Sequence, residues 1–289
     1  MRQRHVHPGE GLVPNIKAVR LGRTLARARH RAGLNVREAA RKLGMKHHQR
    51  LHNMEKGRGP YDPEEIATLL GIYGTDPTVR AQIQLQVRAL TQPVWWQRTM
   101  PGLPDDIGLL AEFEEQATAI TEWGALILPG LTQTRAYSRA WMTTADDLAE
   151  DAVEVRLTMR ARRQQRLDDG IPYTAFITEH ALRASPGDPE VHVQQLNKLL
   201  DLSQRPNVRI RLIPMGTRVY RGQVGGFVLL EFGDDAEALV QLEQDSSVVW
   251  LTEDEATKPY LKARAQLESV AVDATDLIKR IRQELEEAT

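Results

Sequence analysis

The sequence predicts a mainly α-helical head of five helices followed by an α+β domain with a mostly antiparallel sheet. Three observations carry that expectation. Between Leu21 and Leu90, apolar residues recur at helical spacing in five runs, each bounded by a capping residue, a glycine or a proline. Beyond Tyr173, short runs rich in β-branched and aromatic residues take over. Charge divides the chain as well. Through Pro60, fifteen Lys and Arg face only Glu10, Glu38 and Glu55, a local net of +12. The whole chain carries −1, so residues 61–289 carry −13. A basic head on an acidic body is the charge pattern of a nucleic-acid-binding module joined to one that does not bind nucleic acid. The expected organisation is a flexible basic arm over 1–17, a helical domain over 18–92, a hinge over 93–106 and an α+β domain over 107–289.

In the head, a first helix places Leu21, Leu25 and Ala28 on one face and Arg23, Arg27, Arg29 and Arg31 on others, and stops at Ala32-Gly33. Asn35 is an N-cap, and Glu38 three residues on completes a capping box for a short second helix with Ala39, Ala40 and Leu43 inward. Gly44 permits the sharp turn that follows. A third helix, about His48 to Glu55, buries Leu51 and Met54 and leaves Gln49, Arg50, His52 and Asn53 for other faces. After the Gly57–Pro60 loop, Asp62 caps a fourth helix, with Pro63 at its first position and Glu65 at its third. Ile66, Leu69, Leu70 and Tyr73 form its buried stripe, and Gly74 closes it. Asp76-Pro77 opens a fifth helix carrying Val79, Ile83, Val87 and Leu90. In the arm, Arg2 and Arg4 are suited either to a DNA backbone or groove or to a simply unstructured start.

Leu21-Gly22, Ala40, Gly44 and the ending Leu51 to Met54-Glu55-Lys56-Gly57 together resemble the lambda-repressor-like (XRE) helix-turn-helix regulators. That resemblance implies a five-helix domain whose third helix enters the major groove of double-stranded DNA. Two departures stand out. Val36 replaces the glutamine usual at the start of the second helix, and the run from Gly44 to Gly57 is one residue longer than usual. Gln49, Arg50, His52 and Asn53 are the candidate base contacts, with Lys46, His47 and His48 near the start of that helix. Arg37, Lys56 and Arg58, which flank the backbone in this arrangement, are the candidate phosphate contacts.

Pro93-Val94-Trp95-Trp96 marks the boundary, with one tryptophan expected to pack on each domain. Ile107 to Trp123 reads as an amphipathic helix whose Glu112, Glu114, Glu115 and Glu122 form a solvated acidic face. Strands are expected at Tyr173–Thr178, Val208–Ile213, Phe227–Phe232, Leu239–Leu242 and Val248–Leu251, and helices at Ala145–Leu167, Pro189–Leu202, Glu253–Val270 and Ala274–Glu287. The string Leu128-Pro129-Gly130-Leu131, then Gln133-Thr134, Tyr137 and Arg139-Ala140 resembles a second, more specific signature. Arg160, Arg163-Gln164, Glu179 to Leu182 and Gly226 to Phe232 extend it. It is that of actinobacterial regulators joining an XRE head to a domain of unknown function, the WhiJ-like and antitoxin-like transcriptional regulators. This implies a transcriptional regulator paired with a small protein encoded nearby. The few base pairs that one helix can read predict a dimer, and the lack of a signal-like or long apolar segment predicts a cytoplasmic location.

Other chemistry is not signalled. Without cysteine there are no disulfides or thiolate metal sites. Gly222–Gly226 lacks both the P-loop and the Rossmann spacing, and reads as a turn before a strand. His48 and His52 stand at i, i+4 beside His47, but no glutamate accompanies them in metalloprotease order. Ser246-Ser247 has no nucleophile-elbow glycines. No catalytic residues, cofactor or metal are therefore expected. Nor is a membrane anchor or secretory leader, since no apolar run is longer than that of Ala125–Leu128. Two rival expectations are an antitoxin-type protein that binds DNA only to regulate itself, and a DNA-tethered enzyme or nucleotide-binding sensor.

Overall fold

The computed structural model describes residues 16–91, 95–144, 148–218, 220–233, 237–244 and 247–288. They fall into two compact units, Met1–Trp95 and Trp96–Thr289. Of the arm expected over 1–17, residues 1–15 lie outside the described residues, and its last two, Ile16 and Lys17, already belong to a helix.

Among the described residues, the first unit holds α1 (Ile16–Arg31), α2 (Val36–Lys42), α3 (His48–Glu55), α4 (Pro63–Ile72) and α5 (Pro77–Thr91). The local signals explain their boundaries. Asn35 accepts from the Glu38 amide (2.9 Å) while its own amide donates to the Glu38 carboxylate (2.8 Å), a reciprocal cap. Asp62 accepts from the Glu64 and Glu65 amides, both at 2.9 Å, with Pro63 opening α4. Leu21, Leu25, Leu51, Met54, Ile66, Leu69, Leu70, Ile83 and Val87 form one core, and Ala28, Leu43, Val79 and Leu90 pack against it. Each fully buried aliphatic side chain contributes about 1.5–3 kcal/mol.

α6 (Trp95–Thr99), whose first residue is the last of the first unit, and α7 (Asp105–Gln116) both begin inside the expected hinge. The Trp96 indole is buried against Gly108, where a Cβ would meet it at 2.3 Å. The Trp95 side chain is outside the described residues. The helix expected over Ile107–Trp123 ends at Gln116, and Ala119–Gly124 is instead a strand, β1. α8 (Arg135–Thr144) was not read as a helix, and α9 (Glu150–Asp168) corresponds to the helix expected over Ala145–Leu167, of which residues 145–147 lie outside the described residues. Then follow β2 (Tyr173–Thr178), α10 (Glu179–Arg183), α11 (Pro189–Ser203), β3 (Val208–Ile213), β4 (Phe227–Phe232), β5 (Glu237–Gln244), β6 (Ser247–Leu251), α12 (Asp254–Val270), β7 (Val272–Asp273) and α13 (Thr275–Ala288).

The strands form one sheet in the order β6-β5-β4-β1-β2-β3-β7. β1, β2 and β3 are mutually parallel, joined by helical crossovers, and the remaining pairs are antiparallel. On one face Trp123, Phe176, Leu229 and Val240 cluster with Ala263 and Leu267 of α12. The Trp123 indole N–H donates to the Gly222 carbonyl at 2.7 Å, and a Cβ at Gly226 would lie 2.7 Å from the Trp123 carbonyl. Gly222–Gly226 is thus a turn pressed against β1 before β4, the close approach that its glycines permit. Among the described residues no helix is long and apolar enough to cross a membrane.

Candidate nucleic-acid interface

In the first unit, α2 and α3 are joined by a turn in which Gly44 has a φ of +73°. α3 presses Leu51, Met54 and Glu55 inward. The framework residues of the motif have specific packing reasons. A Cβ at Gly22 would meet the Met54 carbonyl oxygen at 2.5 Å, so only glycine lets α1 cross the end of α3 at this distance. Gly57 combines a φ of +76° with a Cβ position 2.6 Å from the Val19 backbone. Tyr61 directs its hydroxyl to the carbonyls of Met54 (2.7 Å) and Ala18 (3.1 Å). Glu55 receives two hydrogen bonds from Arg29, which also donates to the Leu34 carbonyl at 2.8 Å. Arg29 was expected on an outer face of the first helix and is instead buried. Its head-group is consumed by α3.

Lys46, His47, His48, Gln49, Arg50 and His52 are exposed, as are Arg37, Lys56 and Arg58, while Asn53 is half-buried. Around α3, Gln49 stands nearly opposite the buried stripe, with His52 and Asn53 beside it and Arg50 at the edge toward α4. Two preformed contacts order this surface. Gln49 donates to the Asn53 side-chain oxygen at 3.3 Å. Arg50 donates to Glu65 of α4 at 2.6 Å. Glu65 was legible only as a residue in the first turn of a helix; nothing in its local sequence signals a partner fifteen positions away. Among the described residues no ion pair holds Arg37, Lys46, Lys56 or Arg58. The surface therefore offers directional amide and imidazole groups at its centre and mobile cations around it, the division of labour of base and phosphate contacts.

Of the four carboxylates expected on a solvated face, Glu115 is exposed and Glu112 half-buried, but Glu114 and Glu122 are buried. Glu114 is fully buried and takes two 2.8 Å hydrogen bonds from Arg163 of α9. Glu122, buried in β1, accepts from the Tyr173 hydroxyl at 2.5 Å. Burial pushes the Glu122 carboxyl above its ordinary range, against the pull of Arg163. The string around Pro129-Gly130 is a polar knot. Gln133 accepts from Arg160 and Ser138 and donates to the Leu128 carbonyl, and Lys198 donates to the Gln133 carbonyl (2.8 Å) and to Gln164 (3.1 Å). Burial, helped by Arg205, lowers the Lys198 ammonium to about 8. These groups satisfy one another and tie the loop after β1 to α8, α9 and α11. At the carboxyl ends of β2 and β3 lies a cavity of about 190 Å³ lined by Thr178, His180, Ile213, Met215, Tyr220 and Gln223 among others. Met215 there is 76% exposed, and Leu126, just after β1, is 70% exposed.

Comparison with known families assigns both units. A family described as Helix-turn-helix domain matches residues 20–83. A second, described as Domain of unknown function (DUF5753), matches residues 107–283, more than half of the chain. No curated protein and no solved structure matches.

Proposed function

The chain belongs to the DUF5753 family and carries a helix-turn-helix domain ahead of that region, and from that premise we propose that it is a sequence-specific, dimeric transcriptional regulator of the XRE type. In it, α3 enters the major groove of an operator. Gln49, Arg50, His52 and Asn53 face base edges, Lys46, His47 and His48 lie at the groove's rim, and Arg37, Lys56 and Arg58 grip phosphates. The observation that carries this is the outward surface of α3: Gln49, Arg50, His52 and Asn53, with no acidic side chain among them, on a helix anchored from behind by Leu51, Met54 and the Glu55–Arg29 pair. The test is selection from a random duplex pool by the full chain. Enrichment of one motif, with affinity falling steeply with salt, is the expected result. Binding that is absent, or indifferent to sequence and salt, rejects it.

The DUF5753 region is, in this proposal, a non-enzymatic domain that dimerises and receives a small protein or effector, as in WhiJ-like regulators. What supports a receiving role is the cavity beside Met215. In sheets with parallel strands, ligands gather outside the carboxyl ends of those strands. Operator affinity measured with and without the small protein encoded nearby distinguishes a switch from a dock, because coupling between two sites is reciprocal.

A further inference from the structure

Arg50 and Glu65 meet at 2.6 Å, from two different helices, on the surface proposed to face DNA. The arginine side chain is 52% exposed and the glutamate 17%. Glu65 is fixed: it stands in the first turn of α4, its amide capped by Asp62 and its carboxylate at the favourable positive end of the helix. Arg50 hangs from the outer edge of α3 on a long flexible stem. We infer that Glu65 is a positioning residue for base recognition, holding Arg50 toward a guanine edge and away from the phosphates. The inference rests on the DNA-binding proposal and adds to it a specificity device lying outside α3.

The physical reasoning concerns charge and direction. An arginine without a carboxylate is drawn to the nearest phosphate of any sequence, because that attraction is Coulombic and the backbone is everywhere. Pairing with Glu65 nearly cancels its charge at that point. What Arg50 keeps is directional: the guanidinium has five N–H donors in a planar fork, and one contact to Glu65 leaves the others to be aimed. Guanine, with O6 and N7 side by side in the major groove, is the base whose edge matches that fork. The carboxylate also repels phosphate, so a duplex that does not satisfy the fork gains little from this corner of the surface. A matched bidentate contact discriminates by about 5- to 150-fold.

The experiment compares selections from one random duplex pool by the wild-type full chain and by Glu65→Gln, Glu65→Asp and Arg50→Ala. Affinities for the selected and a scrambled duplex are then measured over a range of salt. Arg50→Ala should erase a guanine preference at one position of each half-site. Glu65→Gln should weaken the same position and no other. It should also tighten binding to scrambled duplex, and steepen the dependence of log affinity on log salt by about one. Glu65→Asp should keep the preference. If Glu65→Gln selects the wild-type motif with an unchanged ratio of selected to scrambled affinity, the role of Glu65 is refuted while DNA binding stands. If the wild type itself selects nothing, the DNA-binding proposal falls first. Should Glu65→Gln melt early, Glu65→Ala asks the same question, because it too removes the carboxylate that faces Arg50. Retention of the wild-type guanine preference by Glu65→Ala, with an unchanged ratio of selected to scrambled affinity, would overturn the inference.

Discussion

Arg29 and Glu55 clasp each other through two hydrogen bonds, 2.7 and 2.9 Å long, with both side chains only 6% exposed. The pair joins α1 to the end of α3 across 26 residues of sequence. Removing one partner strands a buried charge, so Glu55→Ala should destabilise the first unit by about 3–5 kcal/mol. Replacing both, Arg29→Met with Glu55→Leu, should recover most of that loss. Urea unfolding of the three proteins decides. If the single and double variants are equally unstable, the pair is not the clasp. The double variant should also keep the wild-type salt dependence of DNA binding, because Arg29 is already committed to Glu55.

Glu122 gives a pH signature. Its folded carboxyl sits above the ordinary value of 4.5 because of burial. The sign follows from linkage: a carboxyl raised in the folded state costs nothing while both states are protonated. Stability is lost as pH climbs from the unfolded value through the folded one. Glu122→Gln keeps an acceptor for the Tyr173 hydroxyl and cannot ionise. Its stability relative to wild type should therefore increase as pH rises above the carboxylate range. A difference that is constant between pH 4 and pH 8 would show that Glu122 does not titrate in the folded protein as described.

Lys198 gives a second signature of the opposite group type. Its ammonium is lowered to about 8 from 10.5 by burial. The unfolded chain then holds the proton more firmly, so this group's contribution makes stability rise with pH between about 8 and 10.5. Subtracting the stability of Lys198→Gln from that of wild type across this window isolates the contribution. A flat difference would mean that the Gln133 and Gln164 oxygens hold the ammonium charged.

How much of this was legible in the sequence depends on whether the governing interaction is local. The helices of the head follow from contacts within four residues: Asn35 with Glu38, Asp62 with Glu65, and the i, i+3, i+4 stripes that meet in the core. β2 to β6 were legible through their β-branched and aromatic runs. β1 and the two-residue edge strand β7 were not. A central strand is buried on both faces, so Ala119–Gly124 shows no alternation, and its Glu122 reads as a solvent-facing charge. The parallel pairing of β1 with β2, and the partners of Glu114 and Glu122 some fifty residues away, depend on the sheet order. At the interface, the exposed residues of α3 could be read from helical periodicity. The restraint of Arg50 could not, because it depends on where α4 starts in space.

Phosphate and base contacts should separate under mutation. If about six cations per head lie on phosphates, log affinity should fall against log salt with a slope near −5. Arg37→Ala or Arg58→Ala should lower operator and random-duplex affinity alike and flatten that slope by about one. Gln49→Ala or Asn53→Ala should cost about 1–3 kcal/mol on the operator and much less on random duplex. Equal losses on both duplexes would reassign those two residues to the backbone.

The working form on DNA should be a dimer joined through the second unit. A single α3 of eight residues spans only a few base pairs, too few to single out one site among a genome's competitors. Two heads on half-sites about 34–36 Å apart would supply the missing discrimination. The net +12 through Pro60 makes heads repel one another, so the contact is expected in the acidic remainder of the chain. Sedimentation of the full chain should show a dimer at concentrations that saturate the operator, and a duplex with one half-site erased should bind far more weakly. A full chain that stays monomeric while binding a single half-site at full affinity would refute the dimer and with it the two-head account of specificity.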